Sequence, residues 1–365
     1  MFEIQTYIIY ISLFVVMFLL ARLASKTGKW TYMFIGLLIY SIVFGIRYDV
    51  GFDYLAYYDI YTSKMDLTDF YFESGFKLII ISLQHINAHF AWFFGLIAFM
   101  QIFFVSKSIK PDKYVYPYFV FTFMIGCTWL VYANGLRQVL AFAIFVYSIR
   151  FIEQRKLVNY CIAIVVAMLM HKTALLLFVI YPILCVKEDW TGSVKIQLIC
   201  LVIAFLLSEI RLIQNVLGYV EDLAIVMGYE KYFETKNEET YKLIENTELS
   251  KGLGFYILFA LDIVLVGFSN KYKKYFNNRF LLYIYNLYFI GSLIHYPFLT
   301  TQLIARLNMY FYGLKYIIAA YCMVYVKRKN FVIFFLLIML YILTFIATLS
   351  KMDINDSMYK FYWQM

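Results

Sequence analysis

Charge is scarce in this 365-residue chain: Asp, Glu, Lys and Arg make up 15% of it, against 64% hydrophobic residues and a mean hydropathy of +0.73. That balance excludes a soluble domain of this length. Short alternating strands, the mark of a membrane β-barrel, are missing as well. Apolar runs of bilayer-spanning length recur from end to end, and they predict an all-α, polytopic integral membrane protein. The first run, Ile4 to Ala21, lacks a basic n-region and a small-residue cleavage site, so it reads as a retained helix and not a signal peptide. No internal repeat and no low-complexity linker divides the chain, which predicts a single transmembrane domain over 1–365. The five cysteines show no CxxC spacing and lie in or beside apolar segments, as buried free thiols do. No histidine–carboxylate spacing resembles a zinc or manganese site, and no nucleotide-binding motif is present, so no metal and no cofactor is expected. The net charge of +9 sits in short loops, and no basic stripe is long enough to track a nucleic-acid backbone.

About twelve spans are expected, near 4–21, 31–46, 90–106, 114–131, 136–152, 157–170, 172–186, 194–212, 253–269, 280–296, 303–326 and 330–349. Five basic loops separate them: Arg22/Lys26/Lys29, Lys107/Lys110/Lys113, Arg150/Arg155/Lys156, Lys271/Lys273/Lys274/Arg279 and Lys327/Arg328/Lys329. All five share the inner side if both termini lie outside. That solution requires Phe76 to Ile86 to lie in the outer interface as an amphipathic helix within an outer segment, 47–89. It also requires 157–186 to form a short hairpin turning near His171 and Lys172. A second outer segment, 213–251, is rich in glutamate and is expected to form a loop or cap.

Most isolated polar residues fall at the outer ends of spans. Arg47 through Tyr58 packs an arginine, two aspartates, a glycine and four tyrosines into twelve residues. Arg47 ends the second span, Arg137 and Gln138 open the fifth, and His171 sits at the hairpin turn. Arg211 ends the eighth span, His295 ends the tenth, and Arg306 lies one turn into the eleventh. An arginine in a span costs about 2.5–3.5 kcal/mol at the centre and less near an end. Guanidinium forks match phosphate geometry, so several of them on one face predict an anionic ligand, in competition with snorkelling to headgroups. An imidazole titrates near neutral pH, so His171 is a candidate base or a hydrogen-bond donor to a leaving phosphate; His295 is a weaker candidate. Asp49 and Asp53, four apart around Gly51, are a poor metal pair, but both are candidate ligand contacts. Asp53 is a second candidate base, or orients an arginine. Tyr54, Tyr57 and Tyr58 offer aromatic faces and hydroxyls suited to sugar rings.

These residues resemble the EpsG-like family of bacterial polysaccharide polymerases, the class also called Wzy or O-antigen polymerases. The resemblance rests on Arg47 followed by Gly51, Asp53, Tyr54 and Tyr57, on Leu136-Arg137-Gln138, on Met170-His171-Lys-Thr-Ala174, and on Ala305-Arg306-Leu-Asn-Met-Tyr310. Phe52 departs from it, standing where a small or hydroxylated residue is expected. The resemblance implies an integral-membrane glycosyltransferase of the bacterial plasma membrane. It would join oligosaccharide repeat units carried on undecaprenyl pyrophosphate at the outer face, beside a flippase and a chain-length regulator. It makes Arg47, Arg137, His171 and Asp53 the expected catalytic residues. Arg306, Arg211, Gln138, Tyr54, Tyr57, Tyr58, Asp49, His295 and Tyr310 are the expected substrate contacts. A ligase of the O-antigen type and a flippase of lipid-linked oligosaccharide are the alternatives.

Overall fold

The computed structural model describes residues 2–63, 72–186, 189–208, 252–298, 302–352 and 357–364. Arg211 and the expected 213–251 cap lie outside the described residues. Over its described residues, each expected span is helical. Four helices are long and apolar enough to cross a bilayer: Phe2–Thr27, Phe90–Ser108, Ile304–Lys329 and Phe331–Leu349, and two bent pairs raise the number among the described residues to six. Trp30–Gly45, Leu157–Met170, Lys172–Val186 and Val194–Leu207 are shorter apolar helices.

Local signals set the boundaries. His89 accepts from the amide of Ala91, Asn278 from those of Phe280 and Leu281, and Asn330 from that of Ile333, each satisfying amides that a helix start leaves orphaned. One expected span, 114–131, is bent, and a second bend joins the end of the 253–269 span to a short helix in the expected basic loop. Lys113–Ile125 meets Thr128–Asn134 at 66°, and Leu253–Gly267 meets Ser269–Phe276 at 52°. At the first bend Cys127 takes a left-handed φ of 52°, and the Trp129 indole donates to the carbonyl of Met124 at 3.2 Å, which the break leaves without its helical partner.

Leu136–Glu153 is the central helix, buried along almost its whole length. It packs against Phe90–Ser108, Leu157–Met170 and Arg279–His295. Trp30–Gly45 lies on the far side of Phe90–Ser108 at close approach. There Gly45 faces Gly95, and the Ser41 hydroxyl donates to the Gly95 carbonyl at 2.6 Å. The short hairpin closes as expected: the Arg155 guanidinium reaches the Cys185 carbonyl at 3.2 Å, and the Tyr160 hydroxyl reaches that of Leu177. Its second arm begins as a 3-10 turn, Lys172–Val179, before Ile180–Val186 continues as α-helix.

The bundle has two unlike ends. At one, the C-terminal segment closes over the start of the chain. Tyr10 donates to the Ser357 carbonyl at 2.9 Å, and the Tyr359 amide donates to Thr6 at 2.8 Å. A two-residue antiparallel ladder pairs Arg47 with Phe361 and Tyr48 with Lys360, a small strand that an all-α reading does not foresee. At the other end the basic loops meet. Buried Asp112 accepts from Arg150 at 2.8 Å, from Asn278 at 3.0 Å and from Tyr321 at 2.6 Å, and Arg328 donates to Tyr275 at 2.6 Å. The first helix, 26 residues and about 39 Å long, connects the two ends.

Away from both loop clusters, Asp262 has no exposed surface. Its carboxylate accepts from Tyr288 at 2.6 Å, from Tyr312 at 2.9 Å and from Tyr296, and pairs with the Lys315 ammonium at 2.9 Å. This knot ties Leu253–Gly267 to Arg279–His295 and to the helix that carries Arg306. Replacing one member of a buried ion pair strands the other charge. Asp262→Ala is therefore expected to lower stability by about 3–5 kcal/mol, read as a fall in the thermal unfolding midpoint in detergent. Asp262→Leu combined with Lys315→Met leaves no unpaired charge and should recover much of that loss. An unchanged midpoint in Asp262→Ala would contradict this role.

Candidate functional site

The 47–62 segment is a turn and a helix docked on the start of Phe90–Ser108. Gly51 makes the turn possible: its φ is +102°, and a Cβ there would stand 2.3 Å from the Asn134 side-chain oxygen. Helix Tyr54–Thr62 follows, with Tyr54 stacked on Phe94 at 4.4 Å, Tyr58 edge-on to Phe90 at 4.9 Å and Tyr61 stacked on Phe93 at 5.1 Å. Tyr54 is wholly buried, its hydroxyl on the Arg47 carbonyl at 2.9 Å, so its ring serves packing; Tyr58 is half-buried.

Arg47 lies beneath this turn, 1% exposed. Its guanidinium donates to the carbonyls of Phe44 at 2.8 Å, Ala133 at 3.1 Å and Val50 at 3.3 Å, among the rings of Phe44, Tyr54 and Phe94. That geometry holds the second span, the turn and the 128–134 helix together. Asp49, at a left-handed φ of 53°, sits on the outside of the turn, 3.7 Å from Lys360.

Arg137, at the start of the central helix, is the hub of a separate cluster. Its Nη1 donates to Glu73 at 2.7 Å and its Nε to the Tyr57 hydroxyl at 3.2 Å, with the Phe72 ring 4.4 Å below. The other Glu73 oxygen accepts from the Lys172 amide at 2.9 Å. Glu73 comes this close because Gly75 follows it: a Cβ on Gly75 would lie 2.6 Å from Met170 and 2.8 Å from Leu169. One carboxylate thus joins the 72–85 segment, the central helix and the turn of the short hairpin. Glu73 was not singled out from sequence. Its position at the N-cap of Ser74–His85 was the available signal.

His171 is on that turn. Its Nδ1 lies 2.6 Å from the Thr173 hydroxyl and accepts from the Thr173 amide at 3.4 Å, and the Tyr310 hydroxyl lies 3.0 Å from Thr173. A backbone amide can only donate, so Nδ1 is an acceptor. The hydroxyls then run Tyr310 to Thr173 to His171, and the ring proton belongs on Nε2. Burial pushes the imidazole down to about 4, and Arg137, Arg306 and Lys172 push the same way against Glu73. The ring is neutral at physiological pH. Thr173 was not singled out from sequence, although it stands two residues beyond His171.

Arg306 is exposed, and its backbone carbonyl accepts from Gln138. Its charge acts on both His171 and Asp53. Asp53 stands at the mouth of the cluster. Partial burial raises its carboxyl above the usual range, while Arg306 and Arg137 pull it back. The structure therefore brings together Arg137, Gln138, His171, Arg306, Tyr310, Tyr57 and Asp53. His295 stands apart, stacked on Tyr312 at 3.9 Å in the Asp262 knot. Among the described residues, no three His, Cys, Asp or Glu side chains converge as metal ligands.

Span-length apolar helices with a charged cluster at their loop end define a helical membrane protein. The chain belongs to the EpsG family, whose model matches residues 29–363, and EpsG is a family of Wzy-like polysaccharide polymerases. No curated protein and no solved structure matches the chain.

The hydrogen-bond chain into His171 makes a spectroscopic prediction. Nitrogen-labelled histidine NMR, with the His171 ring assigned by comparison with His171→Gln, should find that ring as the Nε2–H tautomer titrating near 4, not 6.5. Glu73→Gln should shift that midpoint lower, because the carboxylate raises it. With a folded pKa below the ordinary value, this ring holds fewer protons folded than unfolded between about 6.5 and 4, so it costs stability as pH falls through that window. A midpoint at 6.5 would contradict the geometry.

Proposed function

We propose that this protein is a polysaccharide polymerase that joins oligosaccharide repeat units carried on undecaprenyl pyrophosphate. The observation that carries the reading is the convergence of Arg137, Arg306, His171 and Asp53 at one end of the bundle, in a chain of the EpsG family. With twelve crossings and both termini outside, that end is the outer face of the bacterial plasma membrane. There the donor is lipid-linked, because no nucleotide sugar is supplied to that side.

In this reading Arg137 and Arg306 receive the pyrophosphates of donor and acceptor. The acceptor hydroxyl attacks the anomeric carbon of the growing chain as the carbon–oxygen bond to pyrophosphate breaks. Displacement from the opposite face inverts the anomeric centre. The leaving pyrophosphate requires charge stabilisation more than a proton, so preorganised guanidinium charge is the main catalytic effect and no metal is required. The neutral Nε2–H of His171 suits hydrogen bonding to the departing phosphate; acting as base would first require its tautomer to switch. Asp53, with its raised carboxyl, is the better acceptor for the hydroxyl proton. Arg47, with its donors on carbonyls, supports the turn and does not bind ligand. A flippase supplies the substrate, and a chain-length regulator is the expected partner.

The test is purified protein in detergent with one lipid pyrophosphate-linked repeat unit, EDTA present and nucleotide sugar absent. A product ladder at repeat-unit spacing is expected. Arg137→Ala, Arg306→Ala and His171→Ala should each reduce it by about a hundredfold or more. Full activity in Arg137→Ala and His171→Ala would remove both residues from the chemistry. Transfer to a different acceptor with no ladder would mark a ligase, and movement of the lipid across vesicles without bond formation a flippase.

A further inference from the structure

The basic end holds a cavity of about 350 Å³ between the end of the first helix, the start of Tyr116–Ile125 and the end of Lys315–Lys329. Four cations from two elements line it: Arg22 and Lys26 from the first helix, Lys327 and Arg328 from the last turn of Lys315–Lys329, with Tyr114 and Tyr118 between them. Among the described residues, no carboxylate lines it. The nearest acid on the third element is Asp112, reached through the Tyr114 hydroxyl at 2.9 Å, and its oxygens are already taken by Arg150, Asn278 and Tyr321. Lys327 and Arg328 have neutral partners: the Nζ of Lys327 stands 5.5 Å over the Tyr118 ring, and Arg328 donates to the Tyr275 hydroxyl.

Four like charges converging on one concavity repel one another, and an anion entering it relieves that repulsion. Guanidinium and ammonium groups beside phenol hydroxyls form a donor set suited to phosphate. The positive-inside bias accounts for basic loops at this end, but not for the gathering of charges from opposite ends of the sequence around one cavity.

The surroundings favour a lipid as the source of that phosphate. The helix that floors the cavity, Tyr116–Ile125, is flanked along its length by the first helix through Phe14 and Phe121, and by Phe331–Leu349 through Phe121 and Tyr341. Both flanking helices are largely uncovered by protein, with Leu19 and Leu23 on one and Phe331 and Phe335 on the other 44–60% exposed. Acyl chains have apolar surface to lie on directly beside the charges. We propose that this cavity is a binding site for the phosphate headgroup of an anionic phospholipid, at the opposite end of the bundle from the Arg137–His171 cluster and independent of the reaction proposed there. Basic pockets between helices at the end that faces anionic lipid are suited to this recognition.

The experiment is native mass spectrometry of the full-length protein in neutral detergent, titrated with cardiolipin, phosphatidylglycerol, zwitterionic phosphatidylethanolamine or inorganic phosphate. Cardiolipin and phosphatidylglycerol are expected to bind and phosphatidylethanolamine to bind far more weakly. Arg22→Gln with Lys26→Gln, and Lys327→Gln with Arg328→Gln, should each weaken binding by roughly twentyfold or more, at roughly fivefold per cation. Lys271→Gln with Lys274→Gln removes two exposed charges from the same end outside the cavity and should leave affinity unchanged. The thermal unfolding midpoint in lipid-free detergent checks that each variant is folded. Equal losses in the Lys271/Lys274 control would overturn the site in favour of diffuse charge attraction. Inorganic phosphate binding as tightly as the lipids would overturn the lipid as occupant, and unchanged affinity in both cavity variants would overturn the proposal outright.

Discussion

Arg47, Arg150 and Asp262 are charged side chains almost cut off from water, and the cost of leaving such a charge unpaired binds distant parts of this chain to one another. Arg47 gathers carbonyls from the second span, the following turn and the 128–134 helix. Arg150 reaches Ser108 and Asp112, and through Asp112 the loop at Asn278 and Tyr321 in helix Lys315–Lys329. Asp262 collects three tyrosines and Lys315 from the last third of the chain. Helices in lipid gain little from apolar association, since the solvent is as apolar as they are. Polar knots of this kind set which helix lies beside which, and each of the three fastens a different region.

The site follows from the same constraint applied near water. Arg137 begins a helix buried along almost its whole length, so its backbone is rigid, while its side chain points to the loop end and is held by Glu73, Tyr57 and the Phe72 ring. Glu73 also fixes the hairpin turn, and the turn fixes His171. Burial, assisted by two arginines and a lysine, keeps the imidazole neutral, and the Thr173 amide donating to Nδ1 selects its tautomer. Positive charge is thereby concentrated at the loop end, with a neutral imidazole beside it and the Asp53 carboxylate at the rim. Nothing in this arrangement has to move for the charge to be in place.

The two ends divide the work physically. One carries the acidic and aromatic turn, both described termini and the arginine–histidine cluster; the other carries the basic loops, knotted at Asp112. The first helix and Phe331–Leu349 expose broad apolar surface along the side, so their stability depends on surrounding lipid more than on protein contacts.

Much of this was legible in the chain itself. Apolar runs bounded by basic loops located the long helices, because hydropathy and span length are local quantities; helix Tyr54–Thr62 in the outer segment and helix Ser269–Phe276 at a basic loop were not located that way. Lone polar residues at span ends picked out Arg137, His171, Arg306, Gln138 and Tyr310, which do come together, because exposing a guanidinium or imidazole to lipid is costly wherever it occurs. The same logic grouped Arg47, Tyr54 and His295 with them, and it could not tell a charge that joins the loop-end cluster from one aimed at carbonyls. That distinction depends on the direction of each side chain once helices are packed. Glu73, Thr173 and Asp262 matter through partners 64 to 137, or 26 to 53, residues away, as with Arg137, Tyr310, Tyr288 and Lys315. Sequence by itself determined the class of protein, the long helices and the charged ends, because those follow from transfer free energies residue by residue. Only the tertiary structure decided which charges gather at one loop end, which are bound within the fold and which tautomer His171 takes, because those depend on angles and distances across helices that share no sequence neighbourhood.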